Sequence, residues 1–342
     1  MMNSSMRVSS RISGIDYHLP GISLTNEELS GLFPDWDAQK IGAKTGIENR
    51  WIAGADELSS DLAEAAARKL FGRLAVEASS IDFVLFCSQT PDYLLPTTAC
   101  LLQNRLGIPT TAGALDFNLG CSGYVYGLSL AKGLVESGQA SRLLLLTGET
   151  YSKLLDPGDR SVRTIFGDAG TATLVVRGGT DESAMGPFVF GTDGSGAANL
   201  ICRRFGWRRD PEEVPGRESL WMNGPEIFNF TLRAVPAAVD NLLSKADRKL
   251  DEVDLFVFHQ ANEYMLEHLR RKMAIPAGKF WVSMRDCGNT VSNSIPIALR
   301  DAEVAGRLRV GDLVMLVGFG VGYSWGATLV RWGGDQTVSG RA

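Results

Sequence analysis

A cysteine at the corner of a glycine-rich turn is the first residue of this sequence equipped for covalent chemistry. Between Gly113 and Lys132 a short apolar run, Ala114, Leu115 and Phe117, gives way to Gly120-Cys121-Ser122-Gly123. Tyr124, Leu128, Leu130 and Ala131 then follow at helical spacing, so the stretch reads as strand, tight turn and helix. A thiol at a helix N-terminus faces unpaired backbone N–H groups and the positive end of the helix dipole, both of which favour the thiolate. The flanking glycines leave room for a substrate carbonyl to approach the sulfur. The same turn would equally suit a small buried hydrophobe, the commoner fate of a cytosolic cysteine.

Two further residues extend the set. His259 closes the apolar run Leu255 to Phe258 and opens the polar segment Gln260-Ala261-Asn262. Asn289 follows Gly288 and precedes Ser292, Asn293 and Ser294. Singly, a histidine after a strand is more often structural, and an asparagine after glycine is usually a turn residue. With Cys121 they form a nucleophile and two hydrogen-bond donors, a set suited to acyl transfer through a thioester. Alternatives are few, since His18 and His268 are the only other histidines.

The elements that would bring these residues together alternate between strand and helix. Arg7 to Tyr17 reads as a first strand, and Thr25 with Glu28 as a capping box opening a helix through Leu32. Ser59 to Leu74 has an amphipathic helical pattern, and Ile81 to Cys87 is apolar throughout, as a strand buried on both faces would be. A helix around Ala99 to Leu106, the cysteine turn, a helix to Glu136 and a strand at Leu143 to Thr147 continue the series. This is an α/β architecture with a largely parallel sheet.

The second part of the chain repeats the first. A helix followed by Ile81 to Cys87 has its counterpart in Val235 to Lys245 followed by Val253 to His259. The cysteine turn matches Met284 to Val291, Leu143 to Gly148 matches Val314 to Gly318, and the stretch from Gly170 matches that from Trp325. These matches share one order, at offsets of about 155 to 172 residues. Two similar halves related by a pseudo-two-fold follow, 1–180 carrying Cys121 and 181–342 carrying His259 and Asn289, with the boundary between Gly178 and Met185. Strand ends of halves packed this way meet near the axis, and ligands of open α/β sheets sit beyond such ends.

Composition narrows the class. Over 342 residues, 44% hydrophobic and 21% charged content is that of a globular protein with a large core, and a net charge of −5 argues against nucleic acid as the main partner. The five cysteines, Cys87, Cys100, Cys121, Cys202 and Cys287, include no C-x-x-C pair and fit free thiols in a reducing cytoplasm. The opening residues lack a signal-peptide core and no run is long enough to span a bilayer, so a cytoplasmic protein without a membrane partner is expected.

The motifs resemble those of β-ketoacyl-acyl-carrier-protein synthase III, a thiolase-fold family of condensing enzymes. The resemblance runs over nearly the whole chain: the cysteine turn, FHQAN at Phe258 to Asn262, GNT at Gly288 to Thr290, DPxDR at Asp156 to Arg160, IFGDAG at Ile165 to Gly170, MNGxEIF at Met222 to Phe228 and GFGVGYSWG at Gly318 to Gly326. It implies a duplicated αβαβα layered fold and a homodimer, for which the apolar stretches Leu94 to Leu102 and Ala114 to Phe117 would supply an edge. It also implies that Cys121 takes an acyl group from acyl-coenzyme A or an acyl carrier protein. Oxyanion donors would be the N–H groups of Cys121 and of the Gly320-Val321-Gly322 loop. His259 and Asn289 would then stabilise the enolate formed as malonyl-acyl carrier protein loses carbon dioxide, with Phe319 shielding the malonyl carboxylate. Thioesters of coenzyme A and carrier protein are substrates in this scheme, and no metal or redox cofactor is implied. Cys87, Cys100 and Cys287 read as packing residues, although Cys287 is close enough to Asn289 to stand where thiolases keep a second, basic cysteine.

The chain departs from the family in places. Lys44 stands where the family's arginine contacts coenzyme A, and Lys40 where an aromatic residue stacks on adenine, with Trp36 further upstream. An ammonium pairs with phosphate but offers no planar face. Arg160 joins Lys44 as a substrate-binding candidate. After His259 the family's carrier-protein arginine is replaced by Glu263-Tyr264, leaving Arg270, Arg271 and Lys272 as the docking candidates. Arg203, Arg204, Arg208 and Arg209 form a second basic cluster, expected beside the pantetheine tunnel. Leu95 replaces a bulky aromatic of the acyl pocket and would admit a larger acyl chain. Two other readings stay open on the residues alone: a cysteine acyltransferase or hydrolase without condensation, and a non-catalytic partner subunit. Fatty acid initiation and a specialised acyl pathway are equally compatible with the motifs.

Overall fold

The computed structural model describes residues 9–178, 185–204, 206, 208 and 218–334. The first half runs β1 (Ser10–His18), β2 (Ile22–Thr25), α1 (Asn26–Leu32), α2 (Ala38–Thr45), β3 (Asn49–Ile52), α3 (Ser59–Leu74) and β4 (Phe83–Cys87). It continues through α4 (Thr98–Arg105), β5 (Gly113–Phe117), α5 (Gly123–Glu136), β6 (Arg142–Glu149), α6 (Arg160–Arg163) and β7 (Ala169–Arg177). The second half comprises β8 (Met185–Thr192), β9 (Leu200–Cys202), β10 (Leu220–Met222), α7 (Gly224–Ala246) and β11 (Leu255–Phe258). It ends with α8 (Glu263–Lys272), β12 (Phe280–Trp281), α9 (Ser294–Val304), β13 (Leu313–Gly320) and β14 (Ser324–Arg331). Of the first strand expected from the sequence, Arg7 and Val8 lie outside the described residues, as does 179–184 at the expected boundary.

Two five-stranded sheets carry the molecule, in the orders β1-β7-β6-β4-β5 and β8-β14-β13-β11-β12. The orders match strand for strand, and so do the pairings. β4 is parallel to β5 and β6 while β7 runs against both its neighbours, and β11, β12, β13 and β14 repeat the arrangement. Four of the five strands in each sheet therefore point one way. The counterpart of β5 is only two residues long and precedes Met284, where the repeat placed a strand. Instead the chain turns there, with the Cys287 and Gly288 N–H groups both bonding the Met284 carbonyl.

Alternation along the strands builds the layers. On β6, Leu143 and Leu145 join Tyr124, Leu128 and Ala131 of α5 in a central core, while Leu144 and Leu146 face α3 and α4. On β11, Leu255 and Val257 enter the same central core, which also holds Ile295, Ala298 and Leu299 of α9. Phe256 and Phe258 face α7 and α8 on the outer side. A strand buried on both faces reads as a continuous apolar run, as these do. The result is five layers, helix, sheet, helix pair, sheet, helix, with α5 and α9 sandwiched between the sheets. The expected capping box forms: the Thr25 hydroxyl accepts the Glu28 N–H, and the Glu28 carboxylate the Thr25 N–H.

Candidate active site

Cys121 lies at the turn between β5 and α5, 6% exposed, and the adjoining backbone is crowded. A Cβ at Gly320, the last residue of β13, would come within 2.8 Å of both Cβ and Sγ of Cys121. A Cβ at Gly318 would meet the Ser122 backbone at 2.8 Å, and the Ser122 and Ser324 hydroxyls hydrogen-bond at 2.6 Å. Glycine at 318 and 320 thus lets the second half close on the nucleophile. Burial pushes the Cys121 thiol up to about 12, and the Glu149 carboxyl adds to the rise, while the N–H groups of Val321 and of Cys121 itself oppose it. The turn was expected to favour the thiolate. In the resting site desolvation outweighs the backbone donors, so the sulfur is a thiol.

His259 follows β11 at 2% exposure, its N–H bonded to the Val317 carbonyl. Its Nδ1 lies 2.7 Å from the Ser294 Oγ, which accepts the Gln260 N–H at 3.3 Å. When the Ser294 hydroxyl donates to Nδ1, the ring proton sits on Nε2. Burial lowers the His259 pKa to about 3 with only the Val291 backbone acting the other way, so the imidazole is neutral in the working range. Phe319 packs edge-on to it, ring centroids 5.4 Å apart.

Asn289 is held from the first half. Its N–H donates to the Ile165 carbonyl at 2.9 Å, and its carbonyl accepts the Gly167 N–H at 3.1 Å, a parallel bridge with Phe166 between them. Its Oδ1 accepts the Val291 N–H at 2.9 Å and its Nδ2 reaches the Ala261 carbonyl at 3.4 Å. Gly288 has φ +71°, and a Cβ there would sit 2.8 Å from the Ile165 carbonyl. Val291 is also left-handed, φ +57°, an unusual conformation for a β-branched residue.

Cys121, His259, Asn289, Phe319 and Gly320 all line one cavity of about 840 Å³. Trp36, Lys44, Trp221, Phe228 and Tyr264 line it too. The Lys44 ammonium lies 4.6 Å from the Trp36 ring centroid, the Lys40 ammonium 5.8 Å and the Arg160 guanidinium 5.3 Å. Lys40 and Lys44 fall one turn apart on α2, so both reach the indole that the sequence leaves upstream of them. Val321 and Gly322 border a neighbouring cavity of about 390 Å³ with Gln89, Tyr151 and Cys202.

Other candidates fall elsewhere. Arg270 is engaged with Glu267 and the Ile275 carbonyl, Arg271 with Glu267, and Lys272 with the Leu232 carbonyl, at the end of α8 away from the cavity. Leu95 is 78% exposed and lines neither cavity, because the segment with Tyr93 and Leu94 points outward. Cys287 is buried with its thiol pushed up to about 12 and its S–H on the Ser283 carbonyl, arrangements that suit packing rather than a base. Cys87 is buried, and Cys100 is exposed. Of the second basic cluster, Arg209 lies outside the described residues, and Arg203, Arg204 and Arg208 are not among the described lining of the cavity. Among the described residues no cluster of metal-ligand type occurs and no helix is long and apolar enough to cross a membrane.

Sequence reasoning missed Glu149 and Arg50. Glu149 is fully buried at the end of β6, accepting from the Ser292 hydroxyl at 2.9 Å and the Gln89 N–H at 3.1 Å, and burial lifts its pKa to about 8. Its signal was its position at the end of an apolar strand.

A thiol, a neutral imidazole and a carboxamide meeting across two duplicated halves define an acyl-transferring condensing enzyme of the thiolase fold. A family model described as 3-oxoacyl-[acyl-carrier-protein] synthase III matches residues 115–194, and its C-terminal companion matches 243–332. A β-ketoacyl-[acyl-carrier-protein] synthase III 2 from Halalkalibacterium halodurans is 36% identical over 328 residues, 96% of this chain and 98% of that protein. A crystal structure of a 3-oxoacyl-(acyl-carrier-protein) synthase III superposes with a TM-score of 0.93 at 53% identity, covering 95% of this chain and 100% of the other. The priming β-ketosynthase of the R1128 polyketide pathway superposes at 0.88 with 28% identity, covering 98% and 99%. The chain belongs to the 3-oxoacyl-acyl-carrier-protein synthase III family and is an acyltransferase-type condensing enzyme.

Proposed function

We propose that the enzyme works in two stages on the one cavity, using Cys121 first and then His259 with Asn289. An acyl thioester of coenzyme A or a carrier protein enters past Trp36, Lys44 and Arg160, whose indole face and cations suit an adenine ring and phosphates. The Cys121 sulfur attacks the thioester carbonyl and its proton leaves with the departing thiol. The N–H groups of Cys121 and Val321, already directed at the sulfur, stabilise the oxyanion. Malonyl-acyl carrier protein follows. The His259 Nε2–H and the Asn289 carboxamide donate to its thioester oxygen as the C–C bond to the carboxylate breaks, releasing carbon dioxide and leaving an enolate. The enolate carbon attacks the acyl-Cys121 carbonyl, the thiolate leaves, and a 3-oxoacyl thioester remains on the carrier. Phe319 keeps water from the malonyl carboxylate. No metal or redox group takes part.

Assembly belongs to the same reading. Tyr93, Leu94, Leu95 and the β5 residue Leu115 are large apolar side chains at 45–78% exposure around an edge strand, a surface that suits a homodimer in the cytoplasm. The carrier protein docks at the mouth of the cavity, and Arg270, Arg271 and Lys272 at the far end of α8 are the basic candidates for its acidic surface, Arg271 being 75% exposed.

The observation that carries this reading is the convergence of Cys121, His259 and Asn289 on one cavity. The test is intact-protein mass after incubation with acyl-coenzyme A thioesters of increasing length and with acyl carrier proteins. Wild type should gain one acyl mass and Cys121→Ser none. A folded wild-type protein that takes no acyl group from any of them overturns the reading.

A further inference from the structure

Arg50 on β3 is completely buried, the bulkiest side chain among the described residues to be so. Its Nε donates to the Thr164 carbonyl at 3.0 Å, its Nη2 reaches the same carbonyl, and its Nη1 donates to the Asn26 Oδ1. Among the described residues no carboxylate forms an ion pair with it. Asn26 in turn donates to the Ile47 carbonyl at 2.8 Å and to Glu48 at 3.3 Å. Burial lowers the Arg50 pKa to about 10, which leaves it charged at neutral pH. Glu48 offsets part of that burial through space, against Arg163, but a buried cation whose direct partners are neutral is still costly, and an apolar side chain would fill the same space without that cost.

The segments it joins are those that carry Asn289. Thr164, which receives two of its donors, is followed by Ile165, Phe166 and Gly167, whose backbone holds Asn289 on both sides. A Cβ on Gly288 would lie 3.1 Å from the Arg50 Cγ, and one on Gly167 3.5 Å from its Cβ. β3 is also bonded to the chain leading into Asn289: the Glu48 and Asn49 N–H groups donate to the Arg285 carbonyl and the Trp51 indole N–H to the Asp286 carbonyl. On its other side, the Asp168 N–H donates to the Trp51 carbonyl. Arg50 is therefore at the junction of three chain segments that together fix the Asn289 backbone.

We infer that Arg50 is a positioning residue for the second chemical stage, tying the Thr164 to Gly167 segment so that the Asn289 carboxamide meets the malonyl thioester oxygen. The inference rests on the two-stage reading above. It separates the stages, because Cys121, its backbone donors and the Gly320 turn make no bond to Arg50.

The experiment compares Arg50→Met, which keeps the bulk and loses the donors, with Arg50→Lys, Asn289→Ala and the Arg50→Met/Asn289→Ala double variant. Two rates are read: acylation of Cys121 by intact mass, and product formation from enzyme already acylated, at saturating malonyl-acyl carrier protein. Arg50→Met should acylate within about threefold of wild type and condense on the order of 100-fold more slowly, the scale of a lost oxyanion donor. Arg50→Lys should recover part of the loss, and the double variant should be no slower than Asn289→Ala alone. An Arg50→Met protein that melts like wild type and slows both stages equally overturns the inference. So does one that condenses at the wild-type rate, or one whose defect multiplies with that of Asn289→Ala. Should Arg50→Met fail to fold, Arg50→Lys carries the same comparison. A wild-type protein that is never acylated overturns the two-stage reading and this inference with it.

Discussion

The two halves place different chemistry at equivalent points of one scaffold. In the repeat, Cys121 corresponds to Asn289, Cys87 to His259 and Glu149 to Gly320. The first half thus carries the nucleophile at the turn and a buried carboxyl at the strand end, while the second carries hydrogen-bond donors and an empty strand end. The strand ends cross over. Gly320 vacates the space that Cys121 needs, and Glu149 reaches the Ser292 hydroxyl just after Asn289. Duplication supplied the geometry, and divergence at three pairs of positions divided covalent work from electrostatic work.

That division can be broken one half at a time. The largest expected effect is Cys121→Ala, which should abolish condensation entirely while leaving release of carbon dioxide from malonyl-acyl carrier protein detectable, since the donor half is intact. His259→Ala or Asn289→Ala should do the reverse. Acylation by intact mass stays near wild type, and condensation falls by about 3 to 4 kcal/mol in barrier, roughly 10²- to 10³-fold in rate. Gly320→Ala sets a methyl 2.8 Å from the sulfur. Displacement of the nucleophile should slow acylation by on the order of 10²-fold in single-turnover measurements.

The smallest effect concerns Glu149. Its folded pKa of about 8 lies above the ordinary 4.5 of an unfolded chain, so the folded state keeps its proton longer. The stability this contributes is complete below about pH 4.5 and is lost as pH rises through 8. Glu149→Gln should therefore flatten the fall in melting temperature between pH 5 and 8, by roughly 5 °C at the alkaline end. His259, neutral down to about pH 3, should put no limb near pH 6.5 on the condensation rate.

The sequence made the apolar strands legible because each is buried on both faces, and the repeat made the pairing of halves legible. Cys121, His259 and Asn289 stood out because each ends an apolar run or follows a glycine turn. Lys44 and Arg160 flank an indole that a linear count places too far upstream, until α2 brings Lys40 and Lys44 onto one face beneath it. Arg50 was illegible, and Glu149 showed only in ending an apolar strand, for one reason: charged side chains read as solvated unless their partners are known, and theirs are carbonyls, amides and hydroxyls distant in the chain. For Leu95 the motif position says which residue is present and not which way its segment faces, and here that segment lies on the exposed apolar edge beside β5. At the basic end of α8 the helical spacing also places Glu267, three and four residues before Arg270 and Arg271, where it pairs with both.

The layer formed by α5 and α9 bears on how the protein is made. α5 emerges from the ribosome nearly two hundred residues before β13 and β14, against which it packs. Until they arrive, one face of a helix rich in Tyr124, Val125 and Leu128 has only its own sheet to cover it. Synthesis at about 5 to 20 residues per second leaves that face waiting for some ten seconds or more. Nascent chains of this enzyme should therefore be clients of holding chaperones, and fragments ending before β13 should aggregate rather than persist as half-molecules.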